Sequence, residues 1–132
     1  LMKEAIAGLM DETDEDLVEA IVALLNENRH PNLIDVHNFR VIKYGSDLHI
    51  DCHITIPWFL DTRQAHDEVK MFEELLKSNT LKKVECFVHV DPCIPSSCYL
   101  CNKKDCTERL HEQSNTIEWT VSNITRDEKH HV

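Results

Sequence analysis

Leu48–Ile56 alternates without a break, with Leu48, Ile50, Cys52, Ile54 and Ile56 on one side and His49, Asp51, His53 and Thr55 on the other. Period-two alternation rich in β-branched residues predicts a half-buried strand whose polar side projects two imidazoles and a carboxylate in one direction. Such a face is either solvated decoration or part of a metal site. A second pattern of this kind, Val84–Asp91, sets Val84, Cys86, Val88 and Val90 against Glu85, Phe87, His89 and Asp91. His37 lies in a third β-prone stretch, Asn32–Tyr44. If the three segments share a sheet whose apolar side meets a core, His37, His49, Asp51, His53, His89 and Asp91 gather on its open side. Imidazoles with a carboxylate form a ligand set suited to Zn²⁺ and similar divalent ions. A single histidine of this kind is more often a solvated surface residue, so the argument for metal rests on the set.

A second cluster follows in Cys93-x4-Cys98-x2-Cys101-x4-Cys106, four thiols within fourteen residues. The Cys-x2-Cys core flanked by two further thiols is consistent with a closed four-thiolate zinc site, although its spacing is tighter than in most two-knuckle ribbons. Four thiolates could also hold an iron–sulfur cluster. The plain reading is a loop of free cysteines, or a disulfide pair formed on oxidation. His111 is a candidate substitute ligand. Cys52 and Cys86 fall on core faces and read as small buried hydrophobes.

Composition narrows the function classes. The 132 residues, 42% apolar and 29% charged, are those of one soluble globular domain. A formal charge of −10 repels nucleic acid and anionic membranes and is compatible with cations as ligands. No apolar run reaches the roughly 18–20 residues of a membrane span, and no signal-peptide pattern is visible. The six cysteines are therefore expected to be reduced, which favours metal ligation over disulfides. Two glycines, Gly8 and Gly45, leave no phosphate-cradling loop or nucleophile elbow, and there is no HExxH, so catalysis and a small-molecule substrate are not expected. The opening Leu1-Met2-Lys3 reads as a piece of something longer.

The elements that must position these residues can be placed by periodicity. Residues 1–12 have helical spacing (Leu1, Ala5, Leu9) and read as a lead-in helix or linker. Thr13 is placed as the N-cap of an amphipathic helix carrying Leu17, Ile21, Leu24 and Leu25 and stopped at His30-Pro31. Gly45-Ser46-Asp47 turns the first strand into the second. Asp61 with Gln64 forms a capping box before a second helix with Ala65, Val69, Phe72, Leu75 and Leu76 inside and His66 in its first turn. The order α-β-β-α-β predicts an α+β open-faced sandwich over residues 13–92. Residues 93–132 form a Cys-rich extension, with an extra strand expected over Thr116–Ile124 and a polar tail after it.

Val36-His37-Asn38-Phe39-Arg40, then Gly45, Asp51-Cys52-His53-Ile54, Ala65-His66 and His89-Val90-Asp91-Pro92 closely resemble the cytoplasmic C-terminal domain of the cation diffusion facilitator (cation efflux) transporters. The resemblance covers about residues 9–93. It implies a ferredoxin-like α-β-β-α-β fold, a homodimer at the cytoplasmic face, and a covalently attached transmembrane domain in the full-length protein. It also implies that His37, His53 and Asp91 ligate one divalent metal, that His89 and Asp91 ligate a second with Asp91 bridging, and that His66 reaches across from a partner subunit. His49 and Asp51 are outside that pattern, Asp51 being a candidate to orient an imidazole. The Cys segment departs from it. The expected function is a metal-sensing, zinc-responsive dimerisation domain of an efflux transporter. The alternatives are a free-standing metal-binding or metallochaperone module of the same fold, or a redox or iron–sulfur protein centred on the cysteines.

Overall fold

Apolar residues three and four apart fold the first described segment into helix α1, Glu15–Glu27, which buries Val18, Ile21, Val22 and Leu25. The computed structural model describes residues 15–78 and 83–131. The lead-in helix of residues 1–12 and the Thr13 cap lie outside the described residues. Strands β1 (Asp35–Tyr44) and β2 (Asp47–Ile56) form an antiparallel hairpin. Its two-residue loop begins with Gly45 at φ +59°, the left-handed value that a tight II′ turn demands at its first position. Helix α2, Thr62–Lys77, then crosses back so that β3, Val84–Pro92, pairs in parallel with β2. The predicted capping box starts α2, with Gln64 N–H donating to Asp61 Oδ1 at 2.8 Å and Asp61 N–H to Gln64 Oε1 at 2.9 Å.

The sheet order is β1-β2-β3, which makes the opening alternating stretch the central strand. Phe72 and Leu76 of α2 join the α1 stripe in one core with Val36, Phe39, Val41, Ile50, Cys52 and Ile54 of the sheet. This is the expected α-β-β-α-β open-faced sandwich. Cys52 is fully buried and Cys86 packs against the same core, as expected of small hydrophobes. The opposite face of the sheet carries the histidines.

Between His37 and Arg40 the β1–β2 register slips by one residue, a β-bulge. Asn38 takes it up at φ 49°, a conformation Asn tolerates better than most residues. The extra residue lets Val36 and Phe39 both enter the core while His37 and Arg40 both face outward.

The strand expected over Thr116–Ile124 does not form, because the extended stretch finds other partners. Asn26 of α1 clamps Trp119, donating from Nδ2 to its carbonyl at 2.8 Å and accepting from its N–H at 3.1 Å. The Arg29 guanidinium lies 3.9 Å from the Trp119 ring centroid and also donates to the Ile117 carbonyl. Thr120 then caps a single helical turn, Val121–Ile124, through its Oγ1 bond from Asn123 N–H. The alternation of Ile117, Trp119 and Val121 is real, but it serves side-chain docking on the core instead of ladder pairing.

Trp119 is 1% exposed and ties the extension to the core. Replacing it with Ala is expected to lower stability by about 3–5 kcal/mol, the usual range for a buried Trp truncation. Urea denaturation checks this; a loss under about 1 kcal/mol would mean that the docking contributes little.

Candidate metal centre

Pairing register, more than any single side chain, assembles the polar cluster. His37 of β1 sits opposite His53 of β2, and His53 sits opposite His89 of β3. The three imidazoles form a row across the sheet, with ring centroids 5.0 Å apart for His37–His53 and 4.5 Å for His53–His89. Asp91 lies two residues beyond His89 on the same side of β3, and its carboxylate turns back over the row. His37 Nε2 and His53 Nδ1 each lie 3.3 Å from Asp91 Oδ2. Among the described residues, His37, His53 and Asp91 form the only group whose ligand atoms all lie within 4.8 Å of one another.

Those spacings suit a small divalent ion. Zinc–nitrogen and zinc–oxygen bonds of about 2.0–2.2 Å set adjacent donors of a tetrahedron about 3.4 Å apart. Asp35 Oδ2 lies 3.5 Å from the buried His37 Nδ1, a long contact behind the ring. A proton on Nδ1 is attracted to Asp35 and leaves the Nε2 lone pair facing the Asp91 carboxylate. With Nε2 unprotonated, two acceptors would face each other at 3.3 Å, an arrangement that a cation between or beside them would relieve.

One cation is already present. Lys129, from the tail, places Nζ 3.4 Å from Asp91 Oδ2. Burial works to raise the Asp91 pKa, but the His53 hydrogen bond and the charge and hydrogen bond of Lys129 together outweigh it and hold the carboxyl below its ordinary value. The tail is guided there by backbone. Asn38 N–H, freed at the bulge, donates to the Arg126 carbonyl at 2.6 Å. His130 N–H donates to Asp35 Oδ2 at 2.9 Å, and His130 Nδ1 contacts Asp35 Oδ1. Buried Asp35 is pushed upward by desolvation and downward by His130 and His37, with a net lowering.

The other expected site residues fall into place differently. His89 stacks on His53 and approaches Asp91 Oδ1 at 3.6 Å, but its side chain is 67% exposed, against 6% for His37. His66 is exposed on α2 and is not brought to the cluster within its own chain. Asp51 does not orient an imidazole: its carboxylate pairs with Arg40 at 3.2 Å, because the bulge puts Arg40 directly opposite it. His49 packs its ring against Tyr44 and Phe87. His111 is stacked on Tyr99 at 4.5 Å. Cys93, Cys98, Cys101 and Cys106 all line one cleft. Sequence reasoning missed Asp35, Lys129 and His130. Asp35 sits two residues before His37, on the same strand side, and that spacing was the available signal.

A family model described as the cytoplasmic domain of cation efflux proteins matches residues 13–93. No curated protein sequence matches the chain. Two solved structures share the fold. The MamB C-terminal domain, a magnetosome protein of Desulfamplus magnetovallimortis BW-1, is 20% identical with a TM-score of 0.53, covering 61% of this chain and 96% of that one. The candidate zinc transporter CzrB in its zinc form is 23% identical with a TM-score of 0.53, covering 61% of this chain and 93% of that one. No helix among the described residues is long and apolar enough to cross a membrane.

Asp35 makes the tail's docking depend on pH. Its folded pKa is depressed, so the stabilisation it contributes is full above the unfolded carboxylate value of about 3.9 and is lost as pH falls through the lower folded value. Amide exchange of residues 126–131, corrected for its intrinsic pH dependence, is expected to lose protection on acidification through that window. In Asp35→Asn the acid-dependent step should shrink to the part carried by the Lys129–Asp91 pair.

Proposed function

The chain belongs to the family of cation efflux protein cytoplasmic domains, and on that premise we propose that it is the metal-responsive dimerisation domain of a divalent-cation, zinc-like efflux transporter. The observation that carries this reading is the convergence of His37 Nε2, His53 Nδ1 and the Asp91 carboxylate on one point of the open sheet face. In it, residues 13–92 form the metal-binding unit and residues 1–12 lead in from a membrane domain. A divalent cation held by the three would supply positive charge where carboxylates and lone pairs now face each other.

The chain's own residues then act in a definite order. Lys129 withdraws its ammonium from Asp91, since ligand and counter-ion compete for the same oxygen. Asp35 holds His37 with Nε2 forward, the role a carboxylate plays behind many metal-bound imidazoles. His89, exposed beside Asp91, is free to share a second ion, with Asp91 bridging. His66, exposed on α2, is available to a second copy of the chain. Neutralising part of the −10 charge lowers repulsion between two such copies and shifts the population toward a closed dimer, to which the attached channel responds. Protons compete with metal for imidazole nitrogens, so binding weakens on acidification.

Zinc titration of the purified domain, followed by calorimetry, and sedimentation with and without Zn²⁺ test the reading together. His53→Ala is expected to lose at least tenfold in affinity at the sheet site, and Asp35→Ala, which loosens the competing tail as well as the His37 ring, should lose less. Lys129→Ala should tighten binding severalfold by removing the competing cation. A strict monomer with and without zinc, or unchanged titration of His53→Ala, would sink the proposal.

A further inference from the structure

The extension beyond β3 poses a problem of its own. Between Cys93 and Thr120 the regular structure is one short 3-10 helix, Pro95–Tyr99, and Leu100, Cys101 and Trp119 are the buried members. So long an irregular stretch in a compact domain needs a staple, because it buries too little apolar surface to order itself. Part of the order comes from Arg109. Its guanidinium donates to the carbonyls of Cys98 at 2.9 Å, Cys101 at 3.0 Å, Lys103 at 2.8 Å and His111 at 3.1 Å. The Cys98 carbonyl also accepts Cys101 N–H at 3.4 Å, and the other three lie outside any strand or helix.

What Arg109 encloses is the cleft of about 130 Å³ that Cys93, Cys98, Cys101 and Cys106 line together with Trp58 and Arg109. All four cysteines are free thiols. Two of the sulfurs already accept backbone N–H groups, Cys93 Sγ from Trp58 and Cys101 Sγ from Lys103, both at 3.4 Å. The second is a donor two residues past the cysteine, aimed back at sulfur; such donors favour thiolate over thiol. Cys98 lies in the 3-10 helix and Cys101 just beyond its end, with Cys101 N–H donating to the Cys98 carbonyl at 3.4 Å.

We propose that Cys93, Cys98, Cys101 and Cys106 bind one Zn²⁺ as a structural four-thiolate site that staples the extension to the end of β3. Each thiol gives its proton to solvent on binding, and no electron is transferred. The positive guanidinium of Arg109 and the two N–H donors offset the negative charge of the filled site. Among the described residues only the His37–His53–Asp91 group has three ligand atoms within 4.8 Å of one another, so in this proposal the thiols draw inward across the cleft they line to close on the ion. This site is independent of the sheet-face centre and does not rest on the transporter reading.

The test uses metal analysis and cobalt substitution on the whole chain. The parent is expected to hold about one equivalent of zinc that Cys101→Ser lacks and His53→Ala retains, as four thiolates per ion require. With Co²⁺, the parent and His53→Ala should show thiolate-to-cobalt charge transfer in the near ultraviolet, absent from Cys101→Ser. Hydrogen exchange of residues 94–118 should quicken on chelation while the three strands stay protected. If Cys101→Ser fails to fold, the parent's cobalt spectrum and its thiol reactivity with and without zinc decide alone. Equal zinc in parent and Cys101→Ser, four freely reactive thiols in zinc-loaded parent, or a coloured iron–sulfur chromophore in purified protein would each overturn the proposal.

Discussion

One carboxylate organises the open face of this sheet. Asp91 is approached by His37 and His53 at 3.3 Å, by Lys129 at 3.4 Å and by His89 at 3.6 Å. A half-buried carboxylate with that many claimants cannot satisfy all of them at full strength. Its ionised form is held by positive or proton-donating neighbours against the cost of partial burial. In this structure it serves the tail, through Lys129.

Everything beneath that carboxylate exists to hold its neighbours in register. The core of Phe39, Ile50, Cys52, Ile54 and the two helices fixes which side of each strand faces outward. The bulge at Asn38 then resets β1 by one residue, so that His37 aligns with His53 while Phe39 stays buried. The same bulge turns Asn38 N–H outward to receive the tail at Arg126. A local irregularity thus positions one member of the cluster and anchors the segment that covers it.

Much of this was legible in the residues. Alternation in Leu48–Ile56 and Val84–Asp91 gave correct strands and the correct outward faces, because period two is a geometric property of the pleat. Asp61 and Gln64 marked the start of α2 through chemistry confined to four residues. The errors have a common origin in partners distant along the chain. Thr116–Ile124 has the right alternation for a strand, but Asn26, 93 residues away, captures the Trp119 backbone. Asp51 looked able to serve an imidazole until the bulge delivered Arg40 to it. The tail read as polar filler, since nothing near Lys129 or His130 in the sequence announces Asp91 and Asp35.

Parallel pairing of β2 with β3 has a consequence for the order in which the molecule is built. His53 and Asp91 are separated by 38 residues and meet only when α2 has crossed over and the last strand has docked. Non-local closures of this kind come late in folding, after hairpins and helices have formed. The sheet-face cluster therefore requires that long-range pairing, because His53 and Asp91 belong to strands that meet only through it. The thiols from Cys93 to Cys106 lie close along the chain and can be gathered at any stage. One group of side chains is assembled by distant strands, the other by a single short segment.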